Sequence, residues 1–353
     1  MKVLAKGLSG LALVLAGVFA LGVQAAPAVL ERPALLSAKA ERSVILDLAR
    51  AGQRLVAVGE RGIILLSDDN GASWRQVEVP VSVNLTAVQF VDAQQGWAVG
   101  HLGVVLHSSD GGETWSKQLD GIQAANLVLQ AAQASGDSAQ IQQAEAMVAD
   151  GPDKPFLDLY FQDARVGYLV GAYNLILRTE DGGQTWQSWM EHLDNPQALN
   201  LYAIRAWRGD LYIAGERGLL LRSSDGGEHF AALTSPYEGS FFGLLATHDG
   251  LLAFGLRGNA WWSSDGGESW QGLETGVESA LAAALELADG RLLLAGQGGE
   301  LLIAQPGSLS TQSVPLRLAP GLSSVVQAAD GSLASGGLSG IAARQIPEQS
   351  AQR

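Results

Sequence analysis

Apolar and polar positions alternate along short stretches that are punctuated by glycine turns. Leu85–Phe90 alternates as a half-buried strand does, Asp92–Gly96 is turn-like, and Trp97–Val99 and Val104–His107 flank a tight Gly100–Gly103 turn. Ser109-Asp110-Gly111-Gly112 turns the chain again before Trp115 opens a further apolar stretch. This grammar predicts an antiparallel meander of four short strands, and it recurs. Seven such units are expected, over 45–80, 85–119, 156–191, 200–234, 241–275, 280–314 and 322–346. A different pattern interrupts them at 120–154, where Asn126–Ala134 and Ala139–Ala149 are rich in Ala, Gln, Leu and Met and predict a helical hairpin broken at Ser135-Gly136-Asp137. That insertion either caps one face of the fold or is a tolerated surface addition.

Two motifs mark the repeat. One is Ser/Thr-x-Asp-x-Gly-x-x-aromatic, present as Ser67-Asp69-Gly71-Trp74, Ser108-Asp110-Gly112-Trp115, Thr179-Asp181-Gly183-Trp186, Ser223-Asp225-Gly227-Phe230 and Ser263-Asp265-Gly267-Trp270. Their starts lie 41, 71, 44 and 40 residues apart, the long interval being one repeat plus the insertion. The other is Gly-x-x-Gly, eight residues earlier, at Gly59, Gly100, Gly215 and Gly255, with a variant at Gly171 that ends in Asn174 and continuations at Gly296 and Gly337. A period near 40 with four strands per unit predicts an all-β, seven-bladed β-propeller of four-stranded antiparallel blades with one helical insertion. The Ser and Asp side chains are expected to hold turns through nearby backbone N–H groups, and Trp74, Trp115, Trp186 and Trp270 to bury between sheets. The last unit shows only three strands, and Val29–Ser37 is expected to supply its outer strand and close the ring.

In such a meander the Gly-x-x-Gly turns share a face with the connections between blades. Their middle residues place Arg61, His101, Tyr173, Arg217 and Arg257 around one opening, the expected partner-binding residues.

Composition narrows the function classes. Apolar residues make up 47% and charged residues 16%, enough for a large core. The net charge of −14 lacks the basic footprint of a nucleic-acid binder. The sequence has no cysteine, which excludes disulfides, thiolate metal sites and a lipid-bearing cysteine. Lys2 and Lys6, the apolar run Leu8–Leu21 and Val23-Gln24-Ala25 predict a signal peptide over 1–25, followed by a propeller over 26–353. The expectation is a periplasmic, soluble, monomeric protein. The five histidines show no metal-ligand spacing, no Gly-x-Ser-x-Gly elbow is present, and Asp68-Asp69-Asn70-Gly71 lacks the glutamate of a calcium loop. No cofactor or metal is expected.

The combined pattern, five Asp boxes each preceded by Gly-x-x-Gly at a period near 40, resembles the photosystem II stability/assembly factor family over about residues 43–346. The resemblance implies an exported, non-catalytic scaffold that assists assembly of a membrane protein complex, with an arginine patch meeting the client. Arg61, Arg217 and Arg257 are the positions that match by their place in the turn. The insertion, and the loss of the box from the last two blades, depart from the family pattern. Relatives occur in non-photosynthetic bacteria, so an accessory role at an envelope transport complex stands beside the photosystem reading. Two other readings remain. A sialidase-like glycoside hydrolase would use arginines and a tyrosine from among Tyr160, Tyr168, Tyr173 and Tyr202, but the Arg-Ile-Pro element is missing. A small-ligand-binding propeller would use the central channel.

Overall fold

The computed structural model describes residues 27–346; the signal peptide expected over 1–25 lies outside them. Seven antiparallel sheets follow one another in chain order. Six have four strands and the seventh has three, Leu322–Gln327, Leu333–Gly337 and Gly340–Arg344. This is a seven-bladed β-propeller. Within a blade the second strand is buried along nearly its whole length, as in Gly96–Gly100 and Leu251–Gly255, because neighbouring blades cover both of its faces.

The Gly-x-x-Gly turns are shaped by two close approaches. A Cβ at Gly59 would fall on the carbonyl oxygen of Val44, at the entrance to the same blade. One at Gly62 would fall on the carbonyl oxygen of Val81, in the connection to the next blade, and Gly62 also needs φ +76°. The two glycines therefore seat the turn on its own blade and on the following connection.

The insertion forms two helices, α1 (Gly121–Ser135) and α2 (Ser138–Asp150). α1 begins five residues before the expected start. Asp120 and Gln123 form a reciprocal capping box there, which rewards helix formation right up to the end of the preceding strand. Gly136 at φ +74° ends α1, and Asp137 caps α2. Ala124, Val128 and Ala132 line one face of α1 and bury in a core shared with Ala144, Leu119 and Trp186, so the hairpin lies against the third blade.

The N-terminal arm corrects one expectation. Val29–Ser37 does not pair with the seventh blade. The Ala34 N–H donates to the Val79 carbonyl and the Ser82 N–H to that of Val29, while Gln76 holds the arm at Leu35 and Ser37. Pro33 removes a donor from the middle of the arm, so it cannot form a regular ladder. Leu30 and Ala34 instead bury beside Val77, Val79, Val81 and Val83, the alternating segment between blades 1 and 2.

Candidate partner-binding face

In five consecutive blades the residue before the second glycine, or before Asn174 in its place, adopts left-handed backbone: Arg61, Leu102, Tyr173, Arg217 and Arg257, with φ between 53° and 58°. For non-glycine residues this costs roughly 1 kcal/mol or more each. In three of the five, the entry to the next blade holds the strained unit in place. The Arg61 N–H donates to Asn84 Oδ1 at 3.0 Å, that of Tyr173 to Asn200 Oδ1 at 2.8 Å, and that of Arg217 to Ser240 Oγ at 3.3 Å. Each of these acceptors stands at the entry to the next inner strand, so the turns project side chains beside the junctions of the ring.

The structure spreads the five expected residues over one arc, blades 1 to 5. Tyr173, Arg217 and Arg257 stand on successive blades, and Arg61 is separated from Tyr173 by blade 2. In blade 2 the strained position belongs to Leu102; His101 is exposed one residue earlier, where Glu60 and Glu216 stand in blades 1 and 4. The charges differ in partnership. Arg54, Arg75, Arg178, Arg205, Arg222, Arg291 and Arg317 all reach carboxylates. Among the described residues no carboxylate lies within 4.0 Å of Arg61, Arg217 or Arg257, as is also true of Arg32, Arg42, Arg50, Arg165, Arg208 and Arg344. Glu60 and Glu216 turn instead to the backbone N–H groups of Val44 and Asn200. Exposed large apolar side chains gather on the same turns: Tyr173, Leu256 and Leu338.

The Asp boxes lie at the turns between third and fourth strands. Ser67 Oγ donates to Asp69 Oδ1 at 2.8 Å and accepts from the Gly71 N–H, while Asp69 accepts from the Ser73 N–H and hydroxyl. Asp110, Asp181 and Asp265 repeat the set with Thr114, Thr185 and Ser269; Asp225 keeps the Ser223 hydroxyl and the His229 N–H but lacks the second hydroxyl donor, because His229 carries none. Hydrogen bonding, led by the Ser73 and Ser269 hydroxyls, pulls the Asp69 and Asp265 carboxyls down to about 2. The aromatic residues enter the interfaces between blades: Trp74 packs toward Ile341 and Val326 of blade 7, Trp115 toward blade 1 and Trp186 toward blade 2. Trp270 joins the core between blades 4 and 5.

Two features escaped the sequence reading. The glutamate after the paired glycines of a box reaches an arginine on the preceding blade: Glu113 binds Arg54 and Arg75, Glu228 binds Arg178, and Glu268 binds Arg222. The recurrent Asp-Gly-Gly-Glu, with arginine just before two of the boxes, was the available signal. The second feature is polar chemistry in the central channel, a cavity of about 280 Å³. A register shift at the start of every inner strand re-aims its third residue. Asp47 and Asp158 occupy that position in blades 1 and 3, where other blades have Ala87, Ala203, Gly243, Ala283 and Ser324. Asp47 accepts from the Val88 N–H at 2.9 Å and from Ser324 Oγ at 2.8 Å, tying blade 1 to blades 2 and 7. Asp158 accepts from the Ile204 N–H and pairs with Arg205. Burial in the wall, despite some contact with channel solvent, pushes the Asp47 carboxyl up to about 6. Of the tyrosines named for a glycosidase, Tyr160 and Tyr168 have their phenols pushed up by burial, the opposite of the lowering that activates a nucleophile.

The family model described as "Photosynthesis system II assembly factor YCF48" matches residues 66–148 and 139–235. The "Photosystem II assembly lipoprotein Ycf48" of Synechococcus sp. (strain CC9902) is 36% identical over 77 residues, 22% of this chain and 23% of that relative. A solved structure titled "YCF48 bound to D1 peptide" superposes with a TM-score of 0.65 at 18% identity, covering 87% of this chain and 94% of that one. YCF48 from Cyanidioschyzon merolae gives 0.62 at 15% identity, over 87% and 97%. The WD40 propeller of Doa1 gives 0.63 at 13% identity over 91% and 96%, so the superpositions speak for the fold and the sequence matches for the family. The chain is thus a seven-bladed propeller whose residues 66–235, just under half of it, resemble the photosystem II assembly factor family.

Proposed function

We propose that the mature chain is a non-catalytic, periplasmic scaffold that binds a subunit of a membrane protein complex and assists its assembly or stability. The supporting observation is the arc of five strained turns, which presents three arginines, none paired to a carboxylate among the described residues, beside exposed Tyr173 and Leu256. Strain retained at equivalent positions, where glycine would relieve it, argues that the projected side chains have a use. Guanidinium groups suit carboxylates and polar backbone, and the neighbouring apolar side chains suit the body of a peptide. One fold relative is titled as bound to a D1 peptide, which supports a peptide segment of a partner protein as the ligand class. The curated relative is named a lipoprotein, whereas this sequence has no cysteine to carry a lipid, which favours a protein without a cysteine-linked lipid after signal cleavage.

Capture of the tagged, exported protein from its native envelope, followed by cross-linking and mass spectrometry, tests the reading. Recovery of a membrane complex cross-linked to the arc is expected. The combined Arg61→Glu, Arg217→Glu and Arg257→Glu variant should lose the partner while keeping its circular dichroism spectrum. Unreduced capture by that folded variant would overturn the assignment.

A further inference from the structure

We propose that the groove between α1, α2 and the third blade is a second docking surface, one that takes a cationic amphipathic segment of a partner protein. The groove has a volume of about 440 Å³, within the range of roughly 300–1,000 Å³ typical of binding pockets. Its floor is apolar: Val128, Ala132 and Ala144 from the helices, with Met147 from the hairpin and Met190 from the blade. The sequence contains three methionines, and the two beyond Met1 both line this groove. Methionine adapts to differently shaped apolar ligands, and its concentration at one concave surface points to binding. Tyr173 stands at the edge with 62% of its surface exposed, so the apolar lining is uncovered there.

The rim selects charge. Asp150, Asp153 and Glu191 border the groove against one cation, Lys154. Lys154 is already held by Asp150 and Asp153 and lies 5.2 Å from the centre of the Tyr173 ring. Three carboxylates against one occupied ammonium favour lysine or arginine on the incoming segment and repel an acidic one. The groove is thus complementary to a helix with one apolar and one basic face. Tyr173 belongs both to this groove and to the arginine arc, so one partner lying across the face can engage both, although the groove does not depend on the arc.

A cysteine-free chain allows a single reporter. Ala146→Cys, exposed at the groove and labelled with an environment-sensitive fluorophore, is titrated with synthetic helical peptides of ~18 residues, five turns. One peptide has a leucine face and a lysine face, the second replaces lysine by glutamate, and the third replaces leucine by serine. Saturable binding is expected for the Leu/Lys peptide alone. It should weaken about tenfold or more in Met147→Ser/Met190→Ser, and also in Gln143→Arg, a rim change that leaves the core untouched. The triple Arg→Glu variant should bind it no less well, which separates this site from the arc: failure of envelope capture leaves the titration unaffected, and the reverse holds. Equal binding of the Leu/Glu peptide, equal binding of the Ser/Lys peptide by bulk charge alone, or indifference to both groove variants would overturn the proposal.

Discussion

Trp115, the aromatic of the Asp110 box, is 7% exposed, donates its indole N–H to the Gly112 carbonyl and meets Phe90 edge to face. Two residues away, Glu113 makes ion pairs at the surface to Arg54 and Arg75. The magnitudes decide which of the two holds neighbouring blades together. Trp115→Ala removes a buried aromatic and should cost about 3–5 kcal/mol in urea unfolding. Glu113→Gln should cost less than about 1 kcal/mol, because both arginines keep solvent access and Asp68 remains nearby. A larger loss for Glu113→Gln than for Trp115→Ala would mean that charge, rather than apolar burial, sets blade cohesion. The boxes were legible because their hydrogen bonds close within seven residues of sequence. The blade-to-blade ion pairs were not, because they join residues 38 to 59 positions apart, and only the ring brings those positions together.

The inner strands carry the next level of organisation. A lone acid within Ile45-Leu46-Asp47-Leu48 was visible in the sequence, but the local shift that turns it to the channel was not. Its consequence is a pH dependence of unusual sign. The carboxyl rises from 3.8 to about 6 on folding, so the folded state binds protons more tightly than the unfolded state, and stability falls as pH rises from about 4 to 6. Asp69 and Asp265 act oppositely: held near 2 in the folded state, they contribute stability above about pH 4 that is lost as pH falls toward 2. Thermal midpoints should therefore peak near pH 4 to 5. Asp47→Asn should remove the fall between 4 and 6 and raise stability at pH 7 by about 1–2 kcal/mol, less than the whole shift implies because one of two acceptor oxygens is lost. An unchanged pH profile in that variant would show that Asp47 is ionised in the folded ring across this range.

At the scale of the whole molecule, the repeat period and turn chemistry made the blade number readable, whereas the path of the N-terminal arm depended on tertiary burial that no local pattern encodes. Closure at the seventh blade rests on the joint with blade 1 itself. Ser323 Oγ donates to the Ile45 carbonyl, Ser324 Oγ to Asp47, and Trp74 packs against Val326 and Ile341. The arm serves a different junction, covering the connection between blades 1 and 2 with Leu30, which is 1% exposed. Removing residues 27–37 while retaining the export signal should thus cost about 2–4 kcal/mol, the scale of one buried leucine and its neighbours. Hydrogen exchange locates the loss. Faster exchange is expected across Val77–Val83, where Ser82 gives up its bond to the arm and Val79 its acceptor role, with Gly340–Arg344 unchanged. Faster exchange at Gly340–Arg344 instead would mean that the arm closes the ring after all, and that the open edge of the three-stranded blade is protected by it.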